Sequence, residues 1–422
     1  MEGNLIVRNI AELATPLGRT ARRGAEMAEL RRVPDAAIVA EAGTITYAGP
    51  ALGSGFQRAA ERARGRGAIE VDAGGRACVP GFVDSHTHFI FGGYRADEFF
   101  WRAAGLPYME IHKRGGGIGR TTAATRAASS AELAASGMSR LKVMLSLGVT
   151  TVEGKSGYGL DLDTELRQLE AMAALAGEQP VDIVRTFLGP HSVPREYSGR
   201  PSDYIDFVIE KVLPEVAGRG LAEFADIFCE EGVFGLEDSR RYLTAARGLG
   251  LRLKLHADEI VRLGGAGLAA SLSAVSADHL LKASPEDLAA MGQAGVIATC
   301  LPLTAFTLRE PYADARGMID RGVAVALASD LNPGSCYSQS IPLIFALATL
   351  YMGLSFEETL TALTLNGAAA LGRAESLGSI EPGKLADFLL LEAPEACHLA
   401  YHVGMNIVGK VFKNGACACE RA

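Results

Sequence analysis

Residues 81–90 read GFVDSHTHFI, which sets two imidazoles one residue apart at the end of an apolar run. The chain has only eight histidines, so the pairing is not a matter of abundance. In a strand, residues i and i+2 share a face, and His86 and His88 therefore project together where the strand ends. Two protonated imidazoles there would repel; two neutral ones bind a metal well. The pattern recurs downstream. LRLKLH ends in His256, SAVSADH in His279 and VAVALASD in Asp330. Neutral imidazoles plus one carboxylate suit Zn²⁺ or Fe²⁺ with a position left for water. Such a metal would lower the pKa of that water and supply hydroxide at neutral pH. A lone histidine in a strand is usually structural. Four histidines and an aspartate at four strand ends are hard to ascribe to packing, because buried polar groups cost free energy unless paired. His112, His398 and His402 fall outside the pattern and are read as structural.

Residues this far apart need a scaffold that gathers them. Between 81 and 375, β-branched or apolar runs recur at 81–86, 148–157, 181–189, 224–230, 251–256, 273–279, 295–300 and 323–330. Helical patterns such as LDTELRQLEAMAALA (162–176) and SPEDLAAMGQAG (284–295) lie between most of them. Ser284 before Pro285, and Ser355 three residues before Glu358, mark helix starts. Eight strands alternating with helices predict a (β/α)₈ TIM-like barrel, whose C-terminal strand ends meet at one mouth. A doubly wound open sheet is the alternative. No G-x-G-x-x-G follows the first strand, so nothing supports a dinucleotide site. GGGIG (115–119) reads as a mobile or ligand-shaping loop. Residues 1–80 and 376–422 carry short strand-like runs, among them LIVRNI, SIEPGKLADFLLLEA and IVGKVFKNGACA. They predict a composite β-sandwich domain built from both termini, with 51–67 as a connection inside it.

Composition excludes several classes. The chain is 48% hydrophobic and 21% charged, which is globular, and its net charge of -8 offers no basic field for nucleic acid. The arginines between Arg19 and Arg32 are mixed with acids and read as a solvated face. The N-terminus lacks the basic-then-apolar run of a signal peptide. The apolar stretch 341–356 is shorter than a bilayer span of about 20 residues and reads as a buried helix, so no membrane is expected. Seven scattered cysteines fit a reducing cytoplasm. Cys417 and Cys419 alone lie close together, and C-x-C without partners is weak evidence for metal.

D-x-H-T-H after the first strand, histidines after the fifth and sixth, and aspartate after the eighth resemble the amidohydrolase superfamily. NGAAALG (366–372) and GSIEPGKLADF (378–388) resemble its return from barrel to β domain. The fuller set is VPGFVDSHTHFIFGGYRADEF, GGGI, TTVEGKSGYGLDLDTEL, TFLGPHSVPREY, KLHADE, SADHL and SDLNPGS. It resembles, over the whole chain, the branch of the superfamily that opens the imidazolone ring in histidine degradation. The resemblance implies one metal per chain, Zn²⁺ or iron as Fe²⁺ or Fe³⁺, held by His86, His88, His256 and Asp330. It implies a substrate site of Arg95, Tyr108, Tyr158, His191, Glu259, Asn332, Gly334 and Ser335. Arg95 offers a bidentate fork for a propionate carboxylate, and Tyr158 a hydrogen bond. Lys155 stands where other superfamily members carry a metal-bridging carbamylated lysine; a structural or electrostatic role is expected here. Gly154, Pro190 and the pair Gly119–Arg120 depart from the branch's usual residues. A homodimer acting on a small molecule is implied by resemblance alone.

The implied reaction is hydrolysis of the cyclic amide of 4-imidazolone-5-propionate to N-formimino-L-glutamate. Glu259 and His279 would move protons or polarise the carbonyl, and Asp330 would share the proton work. The rival enzyme reading is a deaminase of a related heterocycle using the same metal. The rival from another class is a non-catalytic assembly protein on this scaffold, which intact ligands argue against.

Overall fold

The computed structural model describes residues 3–106, 110 and 114–421. Its strands, in chain order, are β1 Leu5–Thr15, β2 Arg31–Glu41, β3 Thr44–Pro50, β4 Ile69–Pro80, β5 Phe82–Asp84, β6 Val149–Lys155, β7 Asp182–Phe187, β8 Phe224–Ala225, β9 Phe228–Cys229, β10 Arg252–Ala257, β11 Ser276–His279, β12 Ile297–Cys300, β13 Val325–Leu327, β14 Phe388–Leu391, β15 Val408–Lys413 and β16 Ala416–Glu420. Strands β5 to β13 run parallel in the order expected of a barrel, with β8 and β9 two pieces of one strand that both pair with β10. Closure occurs just past β5 and β13. The Asp330 N–H donates to the His86 carbonyl (2.9 Å), and the His88 N–H to that of Leu331 (2.9 Å). The (β/α)₈ barrel read from the sequence is therefore present, and its seam lies at the candidate metal ligands.

Alternation sorts each barrel strand. In β10, Leu253 and Leu255 face the outer helices, while Lys254 and His256 share the inner face. The barrel interior is unusually polar as a result: Asp84, Glu153, Lys155, Asp226, Lys254 and Asp278 are all buried there. The helices begin where the sequence marks them. Asp161 caps Leu162–Ala176 by accepting the Thr164 N–H (2.7 Å), and Ser355 forms a capping box with Glu358 on Phe356–Thr361. Each such cap is worth about 1 kcal/mol. The stretch 341–356 contributes the largely buried helix Ile341–Tyr351. Among the described residues, no helix is long and apolar enough to cross a membrane.

Both termini build the second layer, a seven-stranded sheet in the order β16-β15-β14-β4-β1-β2-β3. The expected sandwich takes the form of one continuous hydrogen-bonded path that curls over its own core of Leu5, Val7, Ile38, Phe388 and Phe412. The curl brings the β3 edge back to the chain before β14: Ile45 N–H donates to the Lys384 carbonyl (2.8 Å) and Ala386 N–H to that of Gly43 (2.8 Å). Residues 51–67 are not merely a connection. They hold the helix Ser54–Arg64, which buries Ala59, Ala60 and Ala63 against Ile6 and Val39. The arginine-rich stretch 19–32 contains a single 3₁₀ turn, Gly24–Ala28, and the start of β2.

Candidate active site

The strand ends deliver four imidazoles and two carboxyls to one buried cluster at the barrel mouth. Asp330 Oδ1 lies 3.6 Å from His86 Nε2 and 3.5 Å from His88 Nε2. Those gaps match the ~3.4 Å edge of a tetrahedron with bonds of about 2.1 Å, the usual zinc–nitrogen length. The ligating atoms of His86, His256 and His279 form a second set within 4.8 Å, and those of His88, His191 and His256 a third. His86 Nε2, His88 Nδ1, both ring nitrogens of His256 and His279 Nδ1 are buried without a hydrogen-bond partner. Buried polar atoms are rarely left so. Clustered imidazole nitrogens, several of them orphaned, with His86 and His88 beside the Asp330 carboxylate, fit a divalent metal in donor type and spacing.

A second layer of buried charge orients these rings. His86 Nδ1 lies 2.7 Å from Asp278 Oδ2, which leaves Nε2 to face the cluster. His256 Nδ1 lies 2.9 Å from Asp226 Oδ2, though out of line for a hydrogen bond. Thr304 donates to Asp330 Oδ2 at 2.6 Å. Asp226 and Asp278 are in turn held by Lys155, whose ammonium lies 2.7 Å from Asp226, 3.0 Å from Glu153 and 3.5 Å from Asp278. Lys254 adds a contact to Glu153 at 3.1 Å. Burial opposes the Lys155 charge, but the three carboxylates outweigh it and raise its pKa above the lysine norm. Burial likewise opposes ionisation of Asp278, and Lys254 and Lys155 overcome it to keep its pKa low.

Burial, then Lys155 beside His86 and His256 and His191 beside His88, pushes these three rings well below the ordinary histidine pKa. Burial takes His191 and His279 down to about 4. All five imidazoles are therefore neutral at pH 7, the state in which they ligate. The carboxyls move the other way. Burial, assisted by the Asp330 charge, raises Glu259 to about 8, and burial raises Asp330 to about 7. Glu259 Oε2 lies 3.5 Å from His279 Nε2. Four residues here adopt left-handed backbone, Asp258, His279, Leu280 and Asp330, with φ of 51°, 74°, 60° and 50°. Such conformations cost free energy and gather at functional sites. The Glu230 carboxylate secures the turn after Glu259 by accepting the Ile260 and Val261 N–H groups (2.8 and 3.2 Å).

Of the described residues expected to hold substrate, His191 and Tyr158 pack directly against this cluster. His191 stacks on His88 with centroids 4.9 Å apart, and Tyr158 lies 5.2 Å from His191 and 5.7 Å from His88. The loop bearing Tyr158 is pinned by the buried Glu165, which accepts the Gly157, Gly159 and Leu160 N–H groups at 2.8–3.0 Å. Gly157 has φ +108°, and a Cβ there would press on the Leu188 carbonyl and His191. Arg95 donates twice to the buried Glu98 (2.9 and 2.7 Å), and Glu98 also accepts the Gly117 N–H of the glycine loop. Arg95 also packs so closely on Gly334 that any side chain there would strike its guanidinium. Asn332 is consumed by its own turn: Oδ1 accepts from Gly334 and Ser335 N–H, while Nδ2 donates to the Asp330 carbonyl and to Ser335 Oγ. Tyr108 lies outside the described residues. At Gly154, Phe89 and Met172 fill the space a larger side chain would take. Cys417 and Cys419 join no metal-sized cluster among the described residues.

Sequence reading missed Asp226, Asp278, Glu153, Lys254, Glu98, Glu165, Glu230 and Thr304. Asp278 had a signal, its adjacency to His279 in SADHL. Asp226, Lys254, Glu230 and Thr304 are single polar residues whose partners here lie 26 to 101 residues away in the chain, while Glu98, Glu153 and Glu165 act at short range in ways no periodicity marks.

The amidohydrolase family pattern matches residues 77–417. A Bacteroides fragilis protein named imidazolonepropionase is 56% identical over 420 residues, covering 98% of this chain and 99% of that protein. Relatives of the same name from Parabacteroides distasonis and Clostridium tetani are 54% and 52% identical over 411 and 414 residues, with at least 97% of each chain covered. Among solved structures, E. coli guanine deaminase aligns over 99% of this chain and 100% of its own, with a TM-score of 0.69 at 15% identity. A zinc-bound adenosine deaminase from Xanthomonas campestris aligns over 98% of this chain and 92% of its own, with a TM-score of 0.68 at 18% identity. At that identity the deaminases share the fold alone.

Proposed function

The chain belongs to the amidohydrolase family, and on that footing we propose that it hydrolyses the cyclic amide C–N bond of 4-imidazolone-5-propionate to give N-formimino-L-glutamate in histidine degradation, as its near-full-length relatives' name indicates. The observation that carries the chemistry is the cluster of neutral imidazoles with orphaned nitrogens at the barrel mouth, with His86 and His88 within 3.6 Å of Asp330, beside a carboxyl, Glu259, that titrates near neutrality. We assign one divalent metal, Zn²⁺ or iron, to His86, His88, His256 and Asp330. When bound, it supplies Lewis acidity and lowers the pKa of water. A single metal is favoured because a bridging carbamate needs a neutral Lys155 amine, whereas three carboxylates hold that amine protonated.

The remaining roles follow from position and proton affinity. Glu259 accepts the proton of the attacking water and returns it to the ring nitrogen as the C–N bond breaks; a carboxyl with a pKa of about 8 can do both near pH 7. His279 donates a hydrogen bond to the carbonyl oxygen as negative charge gathers there, and its contact with Glu259 links the two. Asp330, also titrating near neutrality, shares the proton traffic. Arg95 binds the propionate, with Glu98 fixing the guanidinium plane. Tyr158 and His191 line the ring, while Asn332 shapes the turn that presents Gly334 and Ser335. Tyr108 enters this set through the resemblance. We extend the reading to a cytoplasmic homodimer, which sedimentation tests.

The test is to follow the ring absorbance of freshly generated imidazolonepropionate with metal-loaded protein and with His256→Ala. Metal-dependent decay, lost in the variant, is expected. Ammonia release from heterocyclic amidines with no decay of imidazolone would establish the deaminase instead. A parent protein that binds no metal and turns over neither would point to a non-catalytic scaffold.

A further inference from the structure

The last histidines of the chain lie outside the barrel mouth. His398 and His402 are four residues apart, the spacing at which side chains share a helix face. The turn between them is helical, with the His402 N–H donating to the His398 carbonyl at 2.9 Å. Their rings face each other: His398 Nδ1 lies 3.3 Å from His402 Nε2, with ring planes 40° apart. Among the described residues, neither ring forms an ion pair with a carboxylate. Both residues are half-buried and open to solvent. Tyr401 flanks the pair, with ring centroids 5.9 Å from His398 and 5.6 Å from His402.

We propose that His398 and His402 form a second, surface transition-metal site, a two-imidazole chelate separate from the barrel centre. The nitrogen separation is already that of two ligands on one ion, since bonds of about 2.1 Å at tetrahedral angles place donors ~3.4 Å apart. Two ligands leave its other positions to water, so this site binds less tightly than a four-ligand centre. Imidazole donors and the general order of divalent affinities favour Cu²⁺, with Ni²⁺ and Zn²⁺ weaker. A metal here replaces a hydrogen bond in which one ring must be donor and the other acceptor.

The test uses full-length protein with its barrel site loaded with zinc. Cu²⁺ is titrated in, excess is removed by desalting, and total metal per chain is counted alongside the copper electron paramagnetic resonance spectrum. The parent should take up a second equivalent, with hyperfine structure from two nitrogens. His398→Ala and His402→Ala should each abolish that equivalent while retaining zinc and imidazolone turnover. Total metal that stays at one equivalent in the parent overturns the proposal, as does a second equivalent that survives in both variants.

Discussion

Replacing Asp278 by asparagine tests the idea that buried carboxylates, and not only the ligands, build the metal centre. Asp278 is fully buried and lies 2.7 Å from His86 Nδ1. Its charge holds a proton on that nitrogen and turns Nε2 toward Asp330. Asparagine keeps the size but can present an N–H to Nδ1, which favours the wrong tautomer. Losing such a partner typically lowers metal affinity 10–100-fold, or about 1.4–2.8 kcal/mol. A second cost falls on the fold. Glu153, Asp226 and Asp278 face Lys155 and Lys254, so the substitution removes the one surplus negative charge and the ammonium's 3.5 Å neighbour. Two carboxylates remain for the two ammoniums, so the fold term should stay below the cost of about 3–5 kcal/mol typical when a buried charge is left unpaired. The two effects separate in the assay: chelator competition gives the metal affinity, and thermal unfolding of the metal-free protein gives the fold term. Ser276→Ala, which removes the hydroxyl donating to Asp278 Oδ1 at 2.7 Å, should shift affinity in the same direction by less. A folded Asp278→Asn protein whose affinity equals the parent's would refute the reasoning.

Other expectations are independent of that one. Glu259→Gln should keep metal and substrate affinity while kcat falls by roughly 10²–10⁴; full activity would move the proton work to Asp330. Arg95→Ala should raise KM for imidazolonepropionate, with a loss of about 1.5–3 kcal/mol in binding, and an unchanged KM would remove Arg95 as the carboxylate anchor. Metal affinity should rise about tenfold per pH unit below about 7, where Asp330 is protonated, and level off above it, because the imidazoles are already neutral. In the metal-free protein, Asp330 and Glu259 have folded pKa values of about 7 and about 8, above their unfolded ones. Above about pH 6.5, where unfolded histidines are neutral like the five buried imidazoles, the fold therefore binds more protons than the unfolded chain, and its stability should fall as pH rises from about 6.5 to about 8; urea titrations across that range check the sign.

That His86, His88, His256, His279 and Asp330 come together was legible because alternation and strand ends are local facts. LRLKLH states which face His256 takes, and barrel closure does the rest. The charge network was not legible, since all of its pairings but Lys155–Glu153 join strands 30 to 192 residues apart. Asp226 sits where one strand breaks into β8 and β9, so no period marks it. Alternation would put Asp278 and His279 on opposite faces; the left-handed backbone at His279 lets both serve the site. The helix Ser54–Arg64 escaped notice because its buried face is alanine, too small to stand out beside glycine and arginine. The curl of the terminal sheet depends on contacts such as Ile45 to Lys384, which no local pattern encodes.

The most direct measurement is product analysis after hydrolysis of imidazolonepropionate in heavy-oxygen water by the metal-loaded protein. Attack at the ring carbonyl, with Glu259 handling the proton, predicts N-formimino-L-glutamate carrying one heavy oxygen in its α-carboxylate. Heavy oxygen at the one-carbon unit between the two ring nitrogens, or release of ammonia in place of ring opening, would contradict the account.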